Sequence, residues 1–128
     1  MSAWISEVKK LTEPSGHWEV AQTHIGQVMI HVPPDRDGLV LHRDAAKILD
    51  EREHDDMRRG YRIALFNARG ARWVGGGKAD REEQAIYETR AKAMNAAGFT
   101  NVASTLTSMA ESYARDAERE EKRADQED

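Results

Sequence analysis

Between residues 58 and 79 lie Arg58, Arg59, Arg62, Arg69, Arg72 and Lys78, interleaved with Tyr61, Phe66 and Trp73 and with no Asp or Glu among them. Guanidinium forks pair with phosphate oxygens and aromatic faces stack on bases, so this composition suits nucleic acid. It also suits the surface of a partner protein. Directly before it, residues 50–56 hold five acids against one Arg. The plainer outcome is that the two blocks pair within the fold or across a homodimer, with Tyr61, Phe66 and Trp73 in the core. The candidate contact residues are Arg58, Arg59, Arg62, Arg69, Arg72, Trp73 and Lys78, for a protein partner first and nucleic acid second.

Other groups with chemical potential lack the company their chemistry requires. Gly75-Gly76-Gly77-Lys78 stands before a predicted helix, where free N–H groups attract anions. A phosphate loop needs Gly, four residues, then Gly-Lys-Ser/Thr. Here Arg72 and Ala79 hold the first and last of those positions, so the glycines are read as a linker. Glu51 and His54 form a Glu-x-x-His step on a helix, but a di-metal bundle needs a second step and further carboxylates. His24, His31 and His42 are dispersed without ligand spacing. His42-Arg43-Asp44 matches a kinase catalytic loop in three letters only; Leu49 stands where its Asn belongs. No serine sits in a nucleophile elbow. The sequence therefore predicts no catalytic residue, no metal site and no cofactor.

Composition narrows the class further. The chain has 128 residues, enough for one domain with a real core. Charged residues make up 33%, above the usual ~25%, over a hydrophobic fraction of 39%. The absence of cysteine excludes disulfides, thiol nucleophiles and Cys-ligated metals. Met1-Ser2-Ala3-Trp4 does not open a secretion signal, and no apolar run approaches the ~18 residues of a membrane span. A cytoplasmic protein without membrane contact is expected. The net charge of −4 lies wholly in residues 111–128, where eight acids face four bases.

The elements that must position these residues follow from periodicity. Trp4, Val8 and Leu11 share one face of a short predicted helix. Glu13-Pro14-Ser15-Gly16 is a turn cluster. Val28, Ile30 and Val32 alternate with Gln27, Met29 and His31, and Trp18 with Val20, which predicts strands over residues 17–32 and a bend or bulge at Gly26. Residues 33–38 form a Pro/Gly loop, and Leu39-Val40-Leu41 returns as a strand. A helix is expected from an Asp44 N-cap to about Asn67, weakened at Gly60. Its rival is a hairpin pairing residues 61–66 with 71–74. Asp80 with Glu83 predicts a capped helix start, with Ile86, Ala93, Met94 and Ala97 as its stripe. Gly98 ends that helix in left-handed geometry. A last helix carries Val102, Leu106, Met109, Ala110, Tyr113 and Ala117 on one face.

The predicted fold is α+β: a small N-terminal antiparallel β-meander of two or three strands packed on three helices. The last two helices form an αα-hairpin. Residues 1–117 form one domain and residues 118–128 a charged tail, helical or disordered. The predicted function is a non-catalytic binding or regulatory protein acting through protein–protein contact. Inhibitors and accessory factors of bacterial and mobile-element systems provide the analogy.

Overall fold

The computed structural model describes residues 2–32, 39–69 and 76–127. Regular structure among them is entirely helical: α1 (Ser2–Thr12), α2 (Trp18–Val28), α3 (Arg43–Asp50), α4 (Asp55–Arg69), α5 (Gly76–Ala96) and α6 (Thr100–Glu127). Short 3₁₀ turns occupy Glu13–Ser15 and Met29–His31. The expected α+β fold is therefore corrected to all-α: no described residue lies in a strand, and the N-terminal β-meander is absent from them. The chain divides into two compact units, Met1–Ala68 and Arg69–Asp128.

The β expectation failed in α2 because one run of residues satisfies two periods. Val20 and Val28 belong to the alternation that suggested strands, yet both are exposed. The buried set is Gln22, Ile25, Gly26 and Met29, spaced three and four apart as on a helix. Packing of that face outweighs the β preference of the valines. Leu39 and Leu41 are also buried, but from a segment without strand pairing. The proline loop between them and α2 lies outside the described residues.

Two glycines explain how α2 and α4 fit together. A Cβ built on Gly26 would stand 1.9 Å from the Met57 carbonyl oxygen and 2.8 Å from the Tyr61 nitrogen. One on Gly60 would stand 2.1 Å from the Thr23 carbonyl oxygen. Each glycine thus faces the backbone of the opposite helix, and any side chain there would force the helices apart. Gly26 marks no bulge, and Gly60, expected only as a weak point of its helix, is like Gly26 a contact point inside a helix. In the same unit Ile5, Ile25, Met29, Leu41, Leu49, Met57 and Tyr61 are buried.

The helix expected from Asp44 to Asn67 is two helices. His42 caps α3, its Nδ1 accepting from the Asp44 backbone N–H at 3.2 Å. Asp44 lies in the first turn and is not the cap. The chain then breaks at residues 51–54 and restarts as α4. The rival hairpin fails over residues 61–69, which are helical; residues 71–74 lie outside the described set.

In the second unit α5 and α6 form the predicted αα-hairpin, joined through residues 97–99. Gly98 has φ +95°, as its position after the helix anticipates. The Gly98 N–H donates to the Asn95 carbonyl at 3.0 Å and the Phe99 N–H to Met94 at 2.9 Å, the paired bonds of a Schellman stop. Met94 and Phe99 are both buried beside it. The start of α5 differs from expectation. It begins at Gly76, so Asp80 lies inside the helix and is buried, and it is not an N-cap. The α5 stripe is Asp80, Tyr87, Ala91 and Met94, and Ile86 is exposed. On α6 the predicted face of Val102, Leu106, Met109, Ala110, Tyr113 and Ala117 is buried throughout. Tyr87 and Tyr113 stack across the hairpin with centroids 5.7 Å apart.

Candidate functional site

The residues predicted to make contacts are placed very differently from one another. Arg58 is buried on the first turn of α4. Its Nη1 donates to the carbonyls of Leu49 at 2.9 Å and Glu51 at 2.7 Å, and its Nη2 pairs with Asp55. Carbonyls at a helix C-terminus have no partners within the helix, and a cation there also meets the negative end of the dipole. Arg58 therefore closes α3 and holds α4 against it. Arg59 is exposed and pairs with Asp56 at 3.1 Å. Arg62 is half-buried on the next turn. Arg69 and Lys78 lie in α4 and α5 by backbone, with side chains outside the described set; Arg72 and Trp73 lie outside it altogether.

Part of the acidic block thus pairs with Arg58 and Arg59 along the same helix. Of the aromatic residues interleaved with the cations, Tyr61 is buried in the core and Phe66 is half-buried.

The break between α3 and α4 is itself built from polar contacts. His54 is buried, with Nδ1 2.6 Å from the Ile48 carbonyl oxygen. A carbonyl only accepts, so Nδ1 carries the proton and, in the neutral ring, Nε2 is an acceptor. Glu51 Oε2 stands 3.3 Å from the same Nδ1. Trp18 meets the imidazole edge-on, with centroids 6.1 Å apart. The Glu51–His54 step visible in the sequence thus comes together at a helix break, where the imidazole hydrogen-bonds the Ile48 carbonyl with the Glu51 carboxylate beside it. No group of three or more His, Asp or Glu that could hold a metal exists among the described residues. His24, His31 and His42 are each exposed.

Two other features were not visible in the sequence. Glu121 accepts from Arg81 through both carboxylate oxygens, at 3.0 and 3.2 Å, linking α5 to the far end of α6. The hydrogen bond raises the Arg81 pKa and holds the Glu121 carboxyl below its ordinary range. Burial raises the Tyr87 phenol pKa, reinforced by Tyr113 and opposed by Arg90, whose guanidinium lies 5.1 Å over the Tyr87 ring. These pairs are 40 and 26 residues apart in the chain, beyond the reach of local spacing rules.

The other feature is an apolar surface on the first unit. Trp4 is 56% exposed and Leu11 77% exposed, seven residues apart on α1 and hence on one face. Of the expected stripe, Trp4 and Leu11 face outward and Val8 is half-buried, while α1 buries Ile5 instead. Val20 and Val28 on α2 are also more than half exposed. No described helix is long and apolar enough to cross a membrane. No family model, curated protein or solved structure matches the chain.

Proposed function

We propose that this chain is a non-catalytic binding protein that works by protein–protein contact, regulatory or inhibitory in kind. The observation that carries the proposal is the outward face of α1, where Trp4 and Leu11 stay in water while Ile5 fills the core. A single exposed apolar residue needs no explanation. A tryptophan and a leucine two turns apart on one face are different. Tryptophan is among the residue types that dominate binding energy when a partner desolvates it. The exposed valines of α2 add apolar surface within the same unit. A second copy of the chain is one partner that this surface suits.

Nucleic acid is the weaker reading. Arg58 is engaged with backbone carbonyls and Asp55, and Arg59 with Asp56, so two cations of the basic segment already have partners.

The test compares the wild-type chain with a Trp4→Ala/Leu11→Ser variant. Light scattering reads self-association, and quantitative co-purification from the native host reads other partners. Loss of the association with an unchanged circular dichroism spectrum is expected. Equal association by both proteins would overturn the assignment of the contact to α1.

A further inference from the structure

We propose that the break between α3 and α4 forms a receptor for an alkylguanidinium group, the head of an arginine side chain. A pocket of about 130 Å³ lies where α1 and the start of α2 meet this break. It has room for several waters, and hence for a planar group of that size. Its lining includes Lys9, Trp18, Glu51, Glu53 and His54.

Three features of this lining select the same chemistry. The first is charge: Glu51 and Glu53 outnumber Lys9 among the lining carboxylates and amines. The second is hydrogen-bond polarity. In the neutral ring, the bond from His54 Nδ1 to the Ile48 carbonyl leaves Nε2 as an acceptor. Carboxylates only accept, and an imidazole nitrogen without a proton does the same, so this lining calls for a donor. The third is the aromatic wall. Lys9 Nζ already lies 5.8 Å from the centroid of the Trp18 ring, so a cation is accommodated against that face.

An ammonium would satisfy the charge alone. A guanidinium also stacks flat on an indole while its fork donates to carboxylates in its plane. Among the described residues Lys9 meets the ring and Glu13 at 3.9 Å, and it acts as a weak internal competitor.

Neither Trp4 nor Leu11 lines this pocket, so the proposal stands or falls separately from the α1 surface. The test is an NMR titration following the Trp18 indole N–H and the His54 ring. Ethylguanidine and acetyl-arginine amide are the probes, and acetyl-citrulline amide is the neutral isostere. Saturable shifts are expected with both guanidinium probes and at least tenfold weaker binding with citrulline. The Glu51→Gln/Glu53→Gln variant should also bind at least tenfold more weakly. Both carboxylates are exposed, so this variant should fold, and circular dichroism checks that it does. Lys9→Gln should bind more tightly, a change opposite to any general loss of structure. Tighter binding of acetyl-arginine amide than of ethylguanidine would identify a protein side chain as the source. The reverse order would identify a free guanidinium compound. Absence of saturable shifts, or equal binding by the citrulline isostere or the double Gln variant, would overturn the proposal.

Discussion

Arg58 shows how one side chain can decide a local fold. Its guanidinium closes two carbonyls at the end of α3 and pairs with Asp55, all from a buried position. Removing a buried charged donor leaves those carbonyls without their partner and Asp55 without its cation. Arg58→Met should therefore destabilise the protein by about 3 kcal/mol, measured by urea denaturation. Arg59→Met, one residue along and exposed, should change stability by less than about 0.5 kcal/mol. Glu121 gives a pH-dependent counterpart. Its carboxyl pKa is lowered in the fold by Arg81, so the stabilisation is present above the ordinary glutamate range. It is lost as pH falls through the folded value. Thermal melts of Glu121→Gln should lack that acid-side component and show less salt dependence, because both partners are exposed. Tyr87 has the opposite sign. Its raised pKa gives stabilisation that is full below the ordinary tyrosine value and is lost as pH rises through the folded one. Ultraviolet titration should show Tyr87 ionising later than a free tyrosine, and Tyr87→Phe should remove that late step.

At the scale of elements, the crossing of α2 and α4 depends on two absent side chains. Glycine inside a helix costs about 1 kcal/mol relative to alanine in isolation. Here the helices approach until each glycine faces backbone, so the propensity argument reverses. Gly60→Ala and Gly26→Ala should each destabilise by about 3 kcal/mol or more, since a backbone carbonyl cannot rotate away as a side chain can. A measured stabilisation by either alanine would show that the helices cross less closely. The hairpin of α5 and α6 makes the contrasting case. Its stop at Gly98 is local, a left-handed residue with its two return hydrogen bonds, and such a signal can be read in one short stretch. The start of α5 could not be read in the same way. Asp80 and Glu83 have the spacing of a capping box, but the helix extends to Gly76 and carries Asp80 into its buried stripe.

Across the whole molecule, the correction from α+β to all-α has a direct spectroscopic consequence. Far-ultraviolet circular dichroism should be that of a mostly helical protein, because no described residue lies in a strand. The apolar face of α1 is a feature of the same scale, because its exposure depends on what the rest of the first unit leaves uncovered. Trp4→Ala/Leu11→Ser should shift stability by less than about 0.5 kcal/mol while abolishing association, which separates a contact surface from a core. The net charge of −4 falls in residues 111–128, and α6 remains helical through Glu127. The Arg81–Glu121 pair shows that part of this charge is used within the hairpin itself.

Residue order alone was sufficient for features whose signal is local. The αα-hairpin, its stop at Gly98, the buried face of α6, the turn before Gly16 and the helical period of α4 all follow from neighbours within a turn or two. Charge segregation and the Glu51–His54 step were legible too, but not what they do. Tertiary structure decided which of two compatible periods α2 would follow, because the choice rests on the face it buries against α4. It also placed Arg58 inside and Trp4 outside, although composition suggested the arginine as a contact and periodicity put the tryptophan on the apolar face of its helix. The physical reason is common to these cases. Burial, close helix approach and hydrogen bonding to distant carbonyls are properties of pairs of elements, and a one-dimensional pattern records only one member of each pair.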